Sequence, residues 1–264
     1  MIEQTANVVK PLDKSRVLIT GGTSGIGLEA AIQFGLSGVP RILLIGRNSE
    51  RGESAKQKIL KAAPTTQVDF ISVDMNRVEG AHTVFEHVKN LYGGVDILVN
   101  SMGSDQVPEL FHQMPVERID ETVVRLTSIM NICHFIQPMM KEQGGGSIVN
   151  IASDAAKFAT PGEAVIGAVM AGIVMFTRTL AIEGKRDGIR ANVLTPSIVE
   201  GTLTYDRVMA PGFSGKLFEK AKKAAHLGVV RPEDIAPMIV FMTSPAAARM
   251  TGQAISINGG ISAG

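Results

Sequence analysis

The sequence predicts an α/β fold, a Rossmann-like doubly wound parallel sheet with helices on both faces. Three observations carry this expectation. Short β-branched runs alternate with longer helical patterns along the chain. One of the runs, "VDILVN", is almost continuously apolar, as a strand buried on both faces should be. A glycine-rich turn follows the first run and opens a helix. Repeated strand–helix alternation requires helical crossovers, and these pair strands in parallel.

The elements follow in order. "RVLIT" (Arg16–Thr20) reads as a strand, and "GIGLEAAIQFGLSG" as a helix that Gly38 stops. "RILLIG" is the second strand, and Glu50–Ala62 a helix with a polar face. "QVDFISVD" and Val78–Leu91 form the third pair. "VDILVN" is the fourth strand, Pro115–Met140 is mostly helical, and "GSIVNIAS" is the fifth strand. Ala164–Gly184 is a long helix and "IRANVL" the sixth strand. "PEDIAPMIVFM" is a late helix, and "QAISING" the last strand.

Length and composition bound the rest. The 264 residues are 45% hydrophobic, enough for one large core. We read one domain over residues 1–264, with no interior linker, short-period repeat or low-complexity tract. Thr195–Gly228 is the one long irregular stretch, and a connection of that length is expected to be a functional lid. A formal net charge of +1 gives no electrostatic reason to expect nucleic acid or a membrane surface. The single cysteine, Cys133, permits no internal disulfide and fits a reducing cytoplasm. The polar, acidic N-terminus does not read as a signal peptide. The longest apolar run, Ala164–Phe176, falls short of the roughly 20 residues that span a bilayer.

"RVLITGGTSGIG" is the strongest local signal. Gly21, Thr23, Ser24, Gly25, Ile26 and Gly27 lie between the first strand and its helix. Glycine permits a tight turn and close approach to a pyrophosphate, and a helix N-terminus offers free N–H groups. Arg47 lies twenty residues after Gly27, just past the second strand. A carboxylate there would suit a ribose 2′-hydroxyl, whereas arginine suits a 2′-phosphate. The sequence therefore leans towards NADP, with NAD left open and a solvated surface arginine as the bland alternative.

These pieces resemble the short-chain dehydrogenase/reductase family over essentially the whole chain. "TGGTSGIG", Asp74 after the third strand, "DILVNSMG", "GGSIVNIAS", "GIRANVLTP" and the C-terminal "RPEDIAPMIVFMTSPAAARMTGQAISINGG" occur in the family's order. The resemblance implies a seven-stranded sheet, usually a tetramer, with Ala164–Gly184 and the preceding helix packed against neighbouring subunits. It also implies nucleotide contacts at Asp74 and at Asn100.

The family's chemistry uses a tyrosine, a lysine, a serine and an asparagine. Ser153 matches the serine, and the asparagine aligns with Arg125. Thirteen residues beyond Ser153, the tyrosine position is Ile166; four further, the lysine position is Met170. Isoleucine has no proton to exchange, and methionine has neither charge nor donor. Losing a general acid/base typically costs roughly 10²–10⁴-fold. Arginine does not deprotonate in proteins, so Arg125 cannot replace the tyrosine. Pro196–Ser197 stands where the family usually has proline–glycine, and the carboxamide-binding threonine aligns with Gly201, with Thr202 one place late. Met102 occupies a place usually held by alanine near the adenosine.

The resemblance therefore implies a catalytically degenerate member with weak, structural or absent cofactor binding. Its expected role is to assemble with an active paralogue in a heterotetramer, a homotetramer being the alternative. Other readings are a divergent enzyme that uses Arg125, Ser153 and Glu163 or Tyr205, or an NADP-binding regulator. Tyr92 is expected at the surface, and Asp154, Lys157 and Glu163 as exposed loop charges. His112 and His134 lack partners at metal-ligand spacing, so no metal is expected. Lys216, Lys220, Lys222 and Lys223 read either as a polyphosphate contact, such as the CoA moiety, or as the wet face of an amphipathic helix.

Overall fold

The computed structural model describes residues 9–263. Residues 1–8, on which the reading of the N-terminus partly rests, lie outside the described residues. Seven parallel strands form one sheet: β1 (Arg16–Thr20), β2 (Arg41–Gly46), β3 (Gln67–Ser72), β4 (Ile97–Asn100), β5 (Gly146–Ile151), β6 (Ile189–Leu194) and β7 (Ala254–Ile255). Their spatial order is β3-β2-β1-β4-β5-β6-β7. The order reverses between β1 and β4, and in open sheets of this kind the crevice beyond the strands' carboxyl ends at that reversal is where ligands bind.

Eight helices accompany the strands among the described residues: α1 (Gly25–Leu36), α2 (Ser49–Ala62), α3 (Val78–Leu91), α4 (Glu117–Glu142), α5 (Ala164–Gly184), α6 (Leu203–Val208), α7 (Phe213–Ala224) and α8 (Pro232–Thr243). Strand side chains alternate between two cores, as a period of two requires. Val17 and Ile19 of β1 face Phe34 of α1, Ile59 of α2 and Ile239 of α8. Leu18, between them, faces the other side with Val84 of α3, Ile132 of α4 and Ile173 of α5. β2 follows the same rule, with Ile42 and Leu44 on the first side and Leu43 and Ile45 on the second.

α5 is long and apolar enough to cross a membrane by length and composition. Here it packs against α4 and β6 and buries Val169, Met170, Ile173, Val174 and Leu180. That placement accounts for the apolar residues on its inner side, while Met175 and Ile182 stay exposed on the outer one.

Three expectations are corrected. Thr195–Gly228 is not irregular, since it holds α6 and α7. The Thr202 side chain accepts from Tyr205 N at 3.1 Å and starts α6, while Gly212 at φ 144° separates the two helices. Tyr92 is buried, not at the surface: its hydroxyl donates to Asp69 Oδ2 at 2.6 Å, and the Arg41 guanidinium lies over its ring at 4.6 Å. Asp154 is likewise buried and fully engaged. Its carboxylate accepts from Asn258 Nδ2 at 2.6 Å, Ser262 Oγ at 2.7 Å and Ser256 Oγ at 3.1 Å, tying the C-terminal segment to the end of β5.

Candidate active site

A cavity of about 1270 Å³ opens beyond the carboxyl ends of β1, β4 and β5. One end is built by the glycine turn. Gly21 (φ 70°) and Gly25 (φ 53°) adopt backbone angles that side chains disfavour. A Cβ on Gly21 would collide with the Ser101 carbonyl, and one on Gly27 with the Gly21 carbonyl. Thr23, Ser24, Gly25 and Ile26 line the cavity. The Ser24 side chain makes no capping bond, so no side chain caps the N–H groups of the first turn of α1. This arrangement fits a pyrophosphate. The adenosine end fits as well: Arg47, Arg51, Asp74 and Met102 line it. Sequence reasoning missed Arg51, although its place in the first turn of the helix that follows Arg47 was a usable signal.

Arg47 already has a partner. Its Nη2 lies 3.1 Å from Asp105 Oδ2, and Arg207 Nη2 of α6 holds the other oxygen at 2.8 Å. Asp105 thus bridges Arg47 to α6. All three groups are substantially exposed, so the bridge is weak and a 2′-phosphate would compete for Arg47.

Two expected nucleotide residues are not on the cavity wall. Gly27 serves close packing of α1 on the turn. Asn100 is fully buried within the sheet, where its Oδ1 accepts from Thr20 Oγ1 at 2.9 Å and its Nδ2 donates to Asn150 Oδ1 at 2.8 Å. Its polar atoms join β1, β4 and β5.

The other end of the cavity brings together Arg125 of α4, Ser153 after β5, and Ile166 and Met170 of α5. Ser153 Oγ accepts from Ala155 N at 3.2 Å and sets the turn that follows β5. Met170 is 2% exposed and belongs to the α3–α4–α5 core, and Ile166 packs against the same cluster. The α5 wall therefore offers neither hydroxyl nor ammonium. Arg125 Nη2 donates only at 3.4 Å, to Ile151 O, and its buried Nε has no partner. Burial pulls its guanidinium down from 12.5 to about 10, which leaves it cationic at neutral pH.

Three further groups were candidates. Glu163, half-buried at the start of α5, lines the cavity. Burial pushes its carboxyl above the ordinary range; a Thr160 hydrogen bond opposes this, and the Asp154 charge adds to it. Tyr205 of α6 lines the cavity, where Lys222 Nζ of α7 donates to its hydroxyl at 3.4 Å. Lys157 donates to Ser256 Oγ at 2.9 Å and Ala254 O at 3.1 Å, which makes it a tie to β7 rather than a loop charge. Thr202 uses its hydroxyl on Val199 O and on the α6 cap, and Gly201 is off the wall. Of the basic α7 residues, Lys220 reaches the cavity lining. No group of three or more His, Cys, Asp or Glu among the described residues could hold a metal ion.

Comparison with known proteins agrees with this architecture. The family model described as enoyl-(acyl carrier protein) reductase matches residues 21–262. The chain belongs to the short-chain dehydrogenase/reductase family. It is 32% identical to a 3-oxoacyl-(acyl-carrier-protein) reductase of Chlamydia muridarum, over 92% of this chain and 96% of that one. It is 30% identical to the D-beta-hydroxybutyrate dehydrogenase of Cupriavidus necator, over 94% and 98%. The structure of L-sorbose reductase from Gluconobacter frateurii with NADPH and L-sorbose superposes with a TM-score of 0.84 at 28% identity, covering 96% of this chain and 98% of that one. A 3-ketoacyl-(acyl-carrier-protein) reductase from Brucella melitensis with NADH gives 0.84 at 27%, covering 96% and 100%.

Proposed function

We propose that this chain is a non-catalytic subunit of the short-chain dehydrogenase/reductase type, one that assembles with an active NAD(P)-dependent paralogue and supports its dehydrogenase. The observation that supports the reading is the α5 wall, where Ile166 and Met170, which the resemblance matches to the family's tyrosine and lysine, line the cavity and pack against the core. A bound nicotinamide would give or take hydride, but neither Ile166 nor Met170 can move the accompanying proton to or from a substrate oxygen. The nucleotide cradle and Arg47 keep the shape for NADP or NAD, bound weakly or not at all in the cell. The chain acts as one domain, with residues 195–228 as its lid, in the cytoplasm. Met175 and Ile182, exposed on the outer face of α5, support a subunit contact there, in a heterotetramer or else a homotetramer. The pattern resembles the inactive partner in 2-(hydroxybenzyl)succinyl-CoA dehydrogenase of anaerobic toluene degradation, an enzyme of two unlike subunits. A CoA-ester substrate for the pair fits the basic α7.

One observation favours a second reading, a divergent enzyme. Glu163 combines a raised carboxyl with a place on the wall of the cavity that Arg125 and Ser153 also line, which suits an acid of non-standard chemistry.

Steady-state oxidation of NADPH and NADH with acetoacetyl-CoA tests the proposal. The chain alone should show no turnover, and Ile166→Tyr with Met170→Lys should not restore a good reductase, because the carboxamide contact at Gly201–Thr202 is altered too. Brisk turnover by either protein would overturn it.

A further inference from the structure

Arg125 is a costly residue for the place it occupies. Its Nε is buried without a partner, and its one hydrogen bond, from Nη2 to Ile151 O, is long at 3.4 Å. It forms no ion pair among the described residues, although Glu163, Asp120 and Glu121 line the same cavity. Asp154, also nearby, is committed to three donors of the C-terminal segment. A desolvated cation is ordinarily held by a counter-ion or by several carbonyls.

Arg190 shows the contrast. It too has buried donors without partners, but its Nη1 is fixed by Met242 O at 2.7 Å and Met250 O at 3.1 Å, and it is off the cavity wall. Arg190 is an anchor within the fold. Arg125 opens onto free space.

The space it faces is amphiphilic. Ile166 and Met170 make an apolar wall, and Ser153 supplies a hydroxyl. We propose that Arg125 and this wall form a binding site for a monocarboxylate with an apolar body, the carboxylate taken by the guanidinium and the body lying along Ile166 and Met170. A guanidinium matches a carboxylate with two parallel N–H bonds, and Arg125, which lines the cavity, has no counter-ion among the described residues. Binding requires neither hydride transfer nor a partner subunit. The subunit is then a ligand-holding member of its assembly rather than a scaffold alone.

Calorimetric titration of the full chain, without nucleotide, tests the site with hexanoate and its neutral isostere hexanamide. Hexanoate should bind at least tenfold more tightly than hexanamide. Arg125→Gln should weaken hexanoate by at least tenfold and leave hexanamide unchanged. Ile166→Trp, which fills the apolar seat and keeps the arginine, should weaken both. Equal binding of the two probes, binding of neither, or hexanoate affinity untouched by Arg125→Gln would overturn the proposal. The wild-type comparison decides the charge requirement even if a variant fails to fold. Neither turnover nor assembly is read in this titration, so its failure leaves the proposed function to its own tests.

Discussion

At the scale of single residues, positions 125, 166 and 170 differ in kind. Ile166 and Met170 are packing residues, and Met170 is 2% exposed. Arg125 is a desolvated cation on the same cavity. Its cost should be visible in stability. Arg125→Met keeps the unbranched stem and removes the orphaned donor and the charge, a replacement that is often neutral or stabilising for buried charges. A gain of about 1 kcal/mol is expected, read as a Tm about 2 °C higher by calorimetry. A fall in Tm would mean that the guanidinium is held by the fold rather than kept for a ligand. Ile166 and Met170 were singled out by their spacing from Ser153 and Arg125 by its place in the long helix before β5, and the structure brings all three to one cavity. The missing partners of Arg125 were not legible in the sequence, since an orphaned donor is a fact about the residues around it.

At the scale of elements, the strands and the major helices were legible because their signals are local. Val78–Leu91, Ala164–Gly184 and Ile189–Leu194 occupy the expected ranges. The misreadings concern groups whose partners are distant in sequence. Asp154 finds its donors 102 to 108 residues away, and Tyr92 finds Asp69 across 23. α6 and α7 were hidden by Gly201, Gly212 and Gly228, which punctuate the segment without making it irregular.

Asp96, just before β4, is a further long-range tie. It accepts from Arg16 N at 2.7 Å, Arg16 Nε at 2.8 Å and Lys10 Nζ at 3.0 Å, joining the start of β1 to the start of β4. Burial pushes its carboxyl up, but the hydrogen bonds from Arg16 and Lys10 together outweigh burial and hold it below 3.8. A depressed folded value means that its stabilisation is present above the unfolded carboxylate value and is lost as pH falls through the folded one. Asp96→Asn should therefore cost about 2–3 kcal/mol at neutral pH. The difference from wild type should shrink below about pH 4. Urea unfolding at pH 7 and pH 3 checks this, and an equal difference at both would contradict it.

At the scale of the whole molecule, the proposed role is that of a fold that keeps what binding and assembly need and does without proton transfer. The turn at Gly21–Gly27, the seven-stranded order and the long α4–α5 pair are intact, while the α5 side of the cavity is sealed with hydrocarbon. A pocket without its acid is of use where another subunit supplies one. The central claim is that this chain works beside an active relative. Native mass spectrometry of the protein, purified gently by a tag from its own host, tests that most directly. The account predicts a mixed assembly containing a second dehydrogenase subunit that carries the tyrosine and lysine. An assembly made only of this chain would contradict it.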